Sequence, residues 1–121
     1  MNGNGLPVVE GFDFGYAMGI FQDEEILKII LNDFYMEMDE ICAKLNELFM
    51  RISNEESLSL YRMEVHALKS TSASIGALLI SEQAKILEKA AIDKDIESIN
   101  LKHPLLIKDM FAHKERLAGI I

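Results

Sequence analysis

Apolar residues recur along most of this chain with the step of an α-helix. Leu27, Leu31, Phe34, Met38, Ile41, Leu45 and Leu48 are separated alternately by four and three positions. That spacing places them on one face of a helix running to about Phe49. Asp23, Glu24 and Glu25 precede the stripe and predict its start, because carboxylates accept from the free N–H groups of a first turn and complement its dipole. Cys42 lies beside the stripe and is expected as a small buried filler. Arg51 to Asn54 reads as a turn, and Ser53 with Glu56 fits a capping box opening the next helix. Leu58, Tyr61, Val65, Leu68, Ser72 and Ile75 form the stripe of that helix, with Gly76 as its stop. Ile80, Ala84, Leu87 and Ala91 share a face of a third helix. Asp93 to Asp95 is a turn, and Asp95 can cap a last segment holding Ile99, Leu106, Met110, Leu117 and Ile120. Pro104 predicts a kink or a fresh helix start within it. Upstream, a short helical segment is expected from Gly11 to about Gly19.

No stretch alternates with period two for long enough to be a strand. The reading is therefore all-α: an antiparallel up-down four-helix bundle with a short extra N-terminal helix. Residues 1–10 read as a tail and residues 11–121 as one domain. Such bundles serve many functions, so the function must come from a site.

Composition removes several classes of function. The chain has 121 residues and a net charge of −8, which disfavours nucleic acid and anionic membranes as partners. One cysteine excludes an internal disulfide and a Cys-cluster zinc site. The charge is uneven. Residues 1–60 hold twelve acids and three bases, a net of −9, whereas residues 61–121 hold eight acids and nine bases, a net of +1. A phosphate-holding site is therefore expected in the second half. Met1 to Gly5 carries no leader pattern, and no apolar run is long enough to span a bilayer. With its free Cys42, the protein is expected in the cytoplasm.

The informative stretch is His66 to Ala77. On a helix, Arg62, His66, Lys69 and Ala73 form a row at the edge of the apolar stripe. His66 is then partly exposed, with one cation a turn before it and another a turn after. From Ser70 to Ala77, seven of eight residues are Ser, Thr, Ala or Gly, a low profile over which another protein can approach the imidazole. A neutral imidazole nitrogen is a competent nucleophile near neutral pH, and adjacent cations can steady a phosphoryl group. By contrast, His113 falls on the apolar stripe and reads as a satisfied core-edge residue. His103, next to Pro104, reads as a capping or surface residue. Neither spacing matches a metal motif, and no metal site is expected. Glu37, Asp39, Glu40 and Glu47 read as a solvated face.

The stretch His66-Ala67-Leu68-Lys69-Ser70, small residues, then Ile75-Gly76-Ala77 resembles the signature of the histidine-containing phosphotransfer (HPt) domain family. That signature is roughly H-x-L-K-G, several small residues, an apolar residue, G and A or L. The flanks agree. Gly11-Phe12-Asp13 and Gly15-Tyr16-Ala17 resemble the family's short N-terminal helix. Asp23 to Phe34 resembles its first long helix, and Leu79 to Ala91 the helix after the active one. The resemblance covers about residues 8–120. It implies that His66 is the phosphoacceptor, through the imidazole nitrogen farther from the backbone, and that Lys69 helps hold the phosphoryl group. Gly76 matches the family's helix-ending glycine. Arg62, Ser70, Ala73 and Gly76 are the expected docking residues. Ser70 departs from the usual glycine, and its hydroxyl is placed where it could hydrogen-bond a phosphoryl group.

The implied protein is a monomeric phosphoryl carrier of a two-component phosphorelay, not an enzyme in its own right. Its implied partners are response-regulator receiver domains or a hybrid histidine kinase. No cofactor is expected in this chain, and Mg2+ belongs to the partner receiver. The chain shows no Gly-rich nucleotide loop or Walker-type lysine motif. The alternatives are a phosphorylation-inactive adaptor of the same fold, a small metal-binding or catalytic bundle, and a phosphoacceptor module of a chemotaxis-type kinase.

Overall fold

The computed structural model describes residues 6–121; the N-terminal reading of Met1 to Gly5 lies outside them. The described residues form five helices and no strand: α1 (Phe14–Phe21), α2 (Glu24–Phe49), α3 (Glu55–Ser74), α4 (Leu78–Ile92) and α5 (Ile96–Ala118). No helix among them is long and apolar enough to cross a membrane. Helix α3 packs on α4, α4 on α5, and α2 on both α3 and α5, while α1 rests on α2 and α3.

The caps follow from side-chain chemistry. Asp13, Asp23 and Asp95 each accept a backbone N–H of the helix they open. The start of α3 differs from the expected capping box. Its cap is Asn54, whose Oδ1 accepts from Ser57 N at 3.1 Å, one position after Ser53. Asparagine carries the same short acceptor as serine and is one of the strongest caps. The helix expected from Gly11 begins only after Asp13, because that residue is the cap.

The end of α3 is set by Gly76. Its N–H donates to the carbonyl of Ala73 at 3.1 Å, and Ala77 N–H donates to that of Ser72 at 2.9 Å. This is a Schellman termination, which needs a left-handed residue; Gly76 has φ of +80°. The same pairing closes α4 at Lys94, with φ of +56°. A side chain at Gly76 would run into the backbone of Asp13. Asp13 N–H donates to the Gly76 carbonyl at 2.9 Å, so the start of α1 is tied to the end of α3.

The stripes meet in one core. Leu27, Leu31, Phe34, Met38 and Leu45 are buried with Leu58, Tyr61, Val65, Leu68 and Ile75 of the α3 segment. Ile80, Ala84, Leu87 and Ala91 join them from α4, and Ile99, Leu106, Met110 and Leu117 from α5. On α2, Ile41 and Leu48 are only half-buried, and the neighbouring Cys42 is buried. Its Sγ lies 3.9 Å from Met110 Sδ. Leu6 and Val9 are buried as well, so the described part of the expected tail contributes to the core.

Pro104 neither ends α5 nor begins a new helix, as α5 runs unbroken from Ile96 to Ala118 with Pro104 inside it. The proline faces solvent. Ile99, His103, Leu106 and Met110 are buried on both sides of it, and that packing outweighs an interior proline's cost of about 3 kcal/mol.

His103 is likewise neither a cap nor a surface residue. It is buried, and its ring stacks on Phe49 with centroids 4.0 Å apart. Its Nε2–H donates to Asn46 Oδ1 at 2.7 Å, and Nδ1 accepts from the Tyr61 hydroxyl at 2.8 Å. Burial pushes its pKa down to about 4, so the ring is neutral at pH 7. His113 is buried too. Its Nδ1–H donates to the Asp109 carbonyl at 2.7 Å, whereas Nε2 has no hydrogen-bond partner among the described residues. It is a core histidine satisfied on one nitrogen only.

Candidate functional site

Helix α3 carries His66 on its outer edge. Val65 and Leu68 are buried, and their anchoring turns His66 outward, where its side chain keeps 60% of its exposure. The ring is not free, however. Its Nδ1 is hydrogen-bonded to Glu88 Oε2 of α4. The other oxygen, Oε1, accepts from Lys69 Nζ at 2.7 Å. Glu88 is the most enclosed of the three, at 15% exposure against 29% for Lys69. The Lys69 ammonium holds the Glu88 carboxyl below its usual range; burial opposes this, and the His66 contact reinforces it.

The contact bears on which ring nitrogen carries the proton. An ionised carboxylate can only accept, so an imidazole in its neutral form presents Nδ1–H to Glu88. The lone pair then resides on Nε2, the nitrogen farther from the backbone. Glu88 was not found from the sequence. It is 22 positions from His66, and the row of neighbours read along one helix does not reach a facing helix. The available signal was its place directly after Leu87 on the apolar stripe of α4.

The run of small residues divides into two jobs. Ser72 and Ala77 are buried, Ala73 and Ser74 are half-buried, and Ser70 and Thr71 are exposed. On the packed side, the hydroxyl of Ser81 in α4 donates to the Lys69 carbonyl at 2.8 Å. That bond joins α4 to α3 one turn beyond His66 and helps register Glu88 against the imidazole. On the open side, Ser70 Oγ lies 3.5 Å from the His66 carbonyl, within its own helix.

The other candidates fall as follows. Arg62 is exposed and shares with His66, Ser59, Met63 and Glu88 the wall of a hollow of about 580 Å3. Gly76 is buried under Asp13. It cannot offer a surface to a partner in this structure, and its place is in the turn. Glu37, Asp39, Glu40 and Glu47 are exposed, with Asp39 paired to Lys114 at 2.7 Å. Among the described residues no three His, Cys, Asp or Glu side chains gather where they could hold a metal ion.

The family model for the Hpt domain matches residues 29–116. No curated protein and no solved structure matches the chain.

Proposed function

Given that the chain belongs to the Hpt domain family, we propose that it carries a phosphoryl group on His66 between the aspartates of receiver domains in a two-component phosphorelay. Hpt domains are phosphocarrier modules, not classical enzymes, and they interact with receiver domains and histidine kinases. The observation that carries the reading is the Glu88 carboxylate on Nδ1 of an exposed His66. It leaves the Nε2 lone pair as the nucleophile. The pairwise packing of α2, α3, α4 and α5 supports an antiparallel four-helix bundle as the frame for that histidine.

Nε2 attacks the phosphorus of an aspartyl phosphate held by a receiver. A P–Nε2 bond forms, the P–O bond to the aspartate breaks, and the carboxylate leaves. The ring retains its Nδ1 proton and gains positive charge, which the Glu88 carboxylate stabilises at the atom where it develops. The partner contributes Mg2+ and most of the remaining groups. Reversal of these steps passes the group to a second receiver. Arg62, Ser70 and Ala73 form the low surface on which the receiver docks, and a monomer in the cytoplasm suffices for the task.

The test is transfer from phosphorylated receiver domains, followed as acid-labile, base-stable label. Wild type and His113→Gln are expected to take label, and His66→Gln none. Label surviving in His66→Gln would assign the role to another histidine. Tight receiver binding without label would make the protein an adaptor.

A further inference from the structure

Two cations flank His66 on α3, and the structure treats them differently. Lys69, one turn after it, is engaged with Glu88 at 2.7 Å. It does not line the hollow that His66 borders. Arg62, one turn before it, does line that hollow. Arg62 is exposed, and its side chain has no ion pair or hydrogen bond among the described residues. Residues four apart on a helix lie side by side, so its guanidinium can reach a group attached to the imidazole without leaving any partner.

We propose that Arg62 binds the phosphoryl oxygens on Nε2 of His66, and that Lys69 acts instead as a positioning residue that holds Glu88 on the imidazole. This deepens the phosphocarrier reading and rests on it. A transferring phosphoryl group spreads its charge over three oxygens. A guanidinium presents a fork of N–H donors matched to such a group, whereas an ammonium is a point charge. Lys69 already holds one oxygen of a carboxylate that is only 15% exposed, and drawing its ammonium toward Nε2 would weaken that pair. Removing one partner of an enclosed pair leaves the other charge uncompensated. Arg62 bears no such cost.

The experiment uses the whole chain and two donors: phosphoramidate and a phosphorylated receiver. With phosphoramidate the P–N bond breaks, ammonia leaves, and the P–Nε2 bond forms. Rates of label uptake and loss are compared for wild type, Arg62→Gln, Arg62→Lys and Lys69→Gln, alongside 15N shifts of the His66 ring. Circular dichroism establishes that each variant folds. Arg62→Gln is expected to slow uptake from both donors about tenfold or more, the usual weight of a hydrogen bond to a charged group, with the ring shifts unchanged. Arg62→Lys should recover part of the rate. Lys69→Gln should move the Nδ1 shift, because it loosens Glu88. Wild-type rates in Arg62→Gln would overturn the proposal. So would slowed uptake in Lys69→Gln with unmoved ring shifts, since Lys69 would then be touching the phosphoryl group itself. If wild type takes no label from either donor, the phosphocarrier reading fails first and this proposal falls with it.

Discussion

Glu88 and His66 meet across the seam between α3 and α4, with the carboxylate on Nδ1 and the opposite ring nitrogen outside that contact. Removing the carboxylate should free the ring to exchange tautomers. Glu88→Ala is expected to move the 15N shifts of both ring nitrogens and to slow phosphoryl uptake by about tenfold to a hundredfold, the range for a lost hydrogen bond to a charged group. Glu88→Gln, which keeps an acceptor but loses the charge, should fall between. An unaltered uptake rate in Glu88→Ala would show that the contact plays no part in the chemistry.

Gly76 carries a different kind of load. Its φ of +80° and its contact with the Asp13 backbone both exclude a side chain. Gly76→Ala is expected to cost about 2 kcal/mol or more, read as a lower urea midpoint with an unchanged slope. A midpoint matching wild type would mean that the turn relaxes easily.

Acid should loosen the core at His103. Its folded pKa of about 4 lies below the reference of 6.5, so between those values the unfolded chain binds more protons and stability falls as pH falls. The gap corresponds to a loss on the order of 3 kcal/mol. Glu88 acts in the same direction but later. Its folded pKa is depressed below 4.5, so its contribution is present above 4.5 and is lost as pH falls further. Urea titrations across the acid range test the order. His103→Leu should flatten the slope between pH 6.5 and 4 while lowering stability at pH 7, because Tyr61 and Asn46 lose their partner.

Cys42 is expected to resist thiol reagents in the native state. Burial, and then the nearby Asp39 charge, push its pKa up to about 11, and reactivity follows the thiolate. Labelling should track unfolding; rapid labelling of the folded protein would contradict this account.

Much of the architecture was legible from periodicity, because each stripe had only one face to bury. What was missed lay where the tertiary environment overrides a local signal. His103 occupies a stripe position, since Ile99, His103, Leu106 and Met110 step by four, three and four. Its polarity and the adjacent proline suggested the surface, but Tyr61 and Asn46 supply the hydrogen bonds that let it be buried. At the site, His66 and Lys69 were visible as neighbours on one helix. Glu88, the residue that joins them, was not, because it arrives from another helix. Gly76 was found as a helix stop, but the role in docking does not fit its burial beneath Asp13.

The most direct test of the central claim is the identity of the phosphorylated atom. Protein labelled with 15N in its histidine rings, phosphorylated by a receiver, should show one phosphohistidine by 31P and 15N NMR. The account expects phosphorus on Nε2 of His66, with Nδ1 still bearing its proton toward Glu88. Phosphorus on Nδ1 of His66, or on His103 or His113, would contradict it.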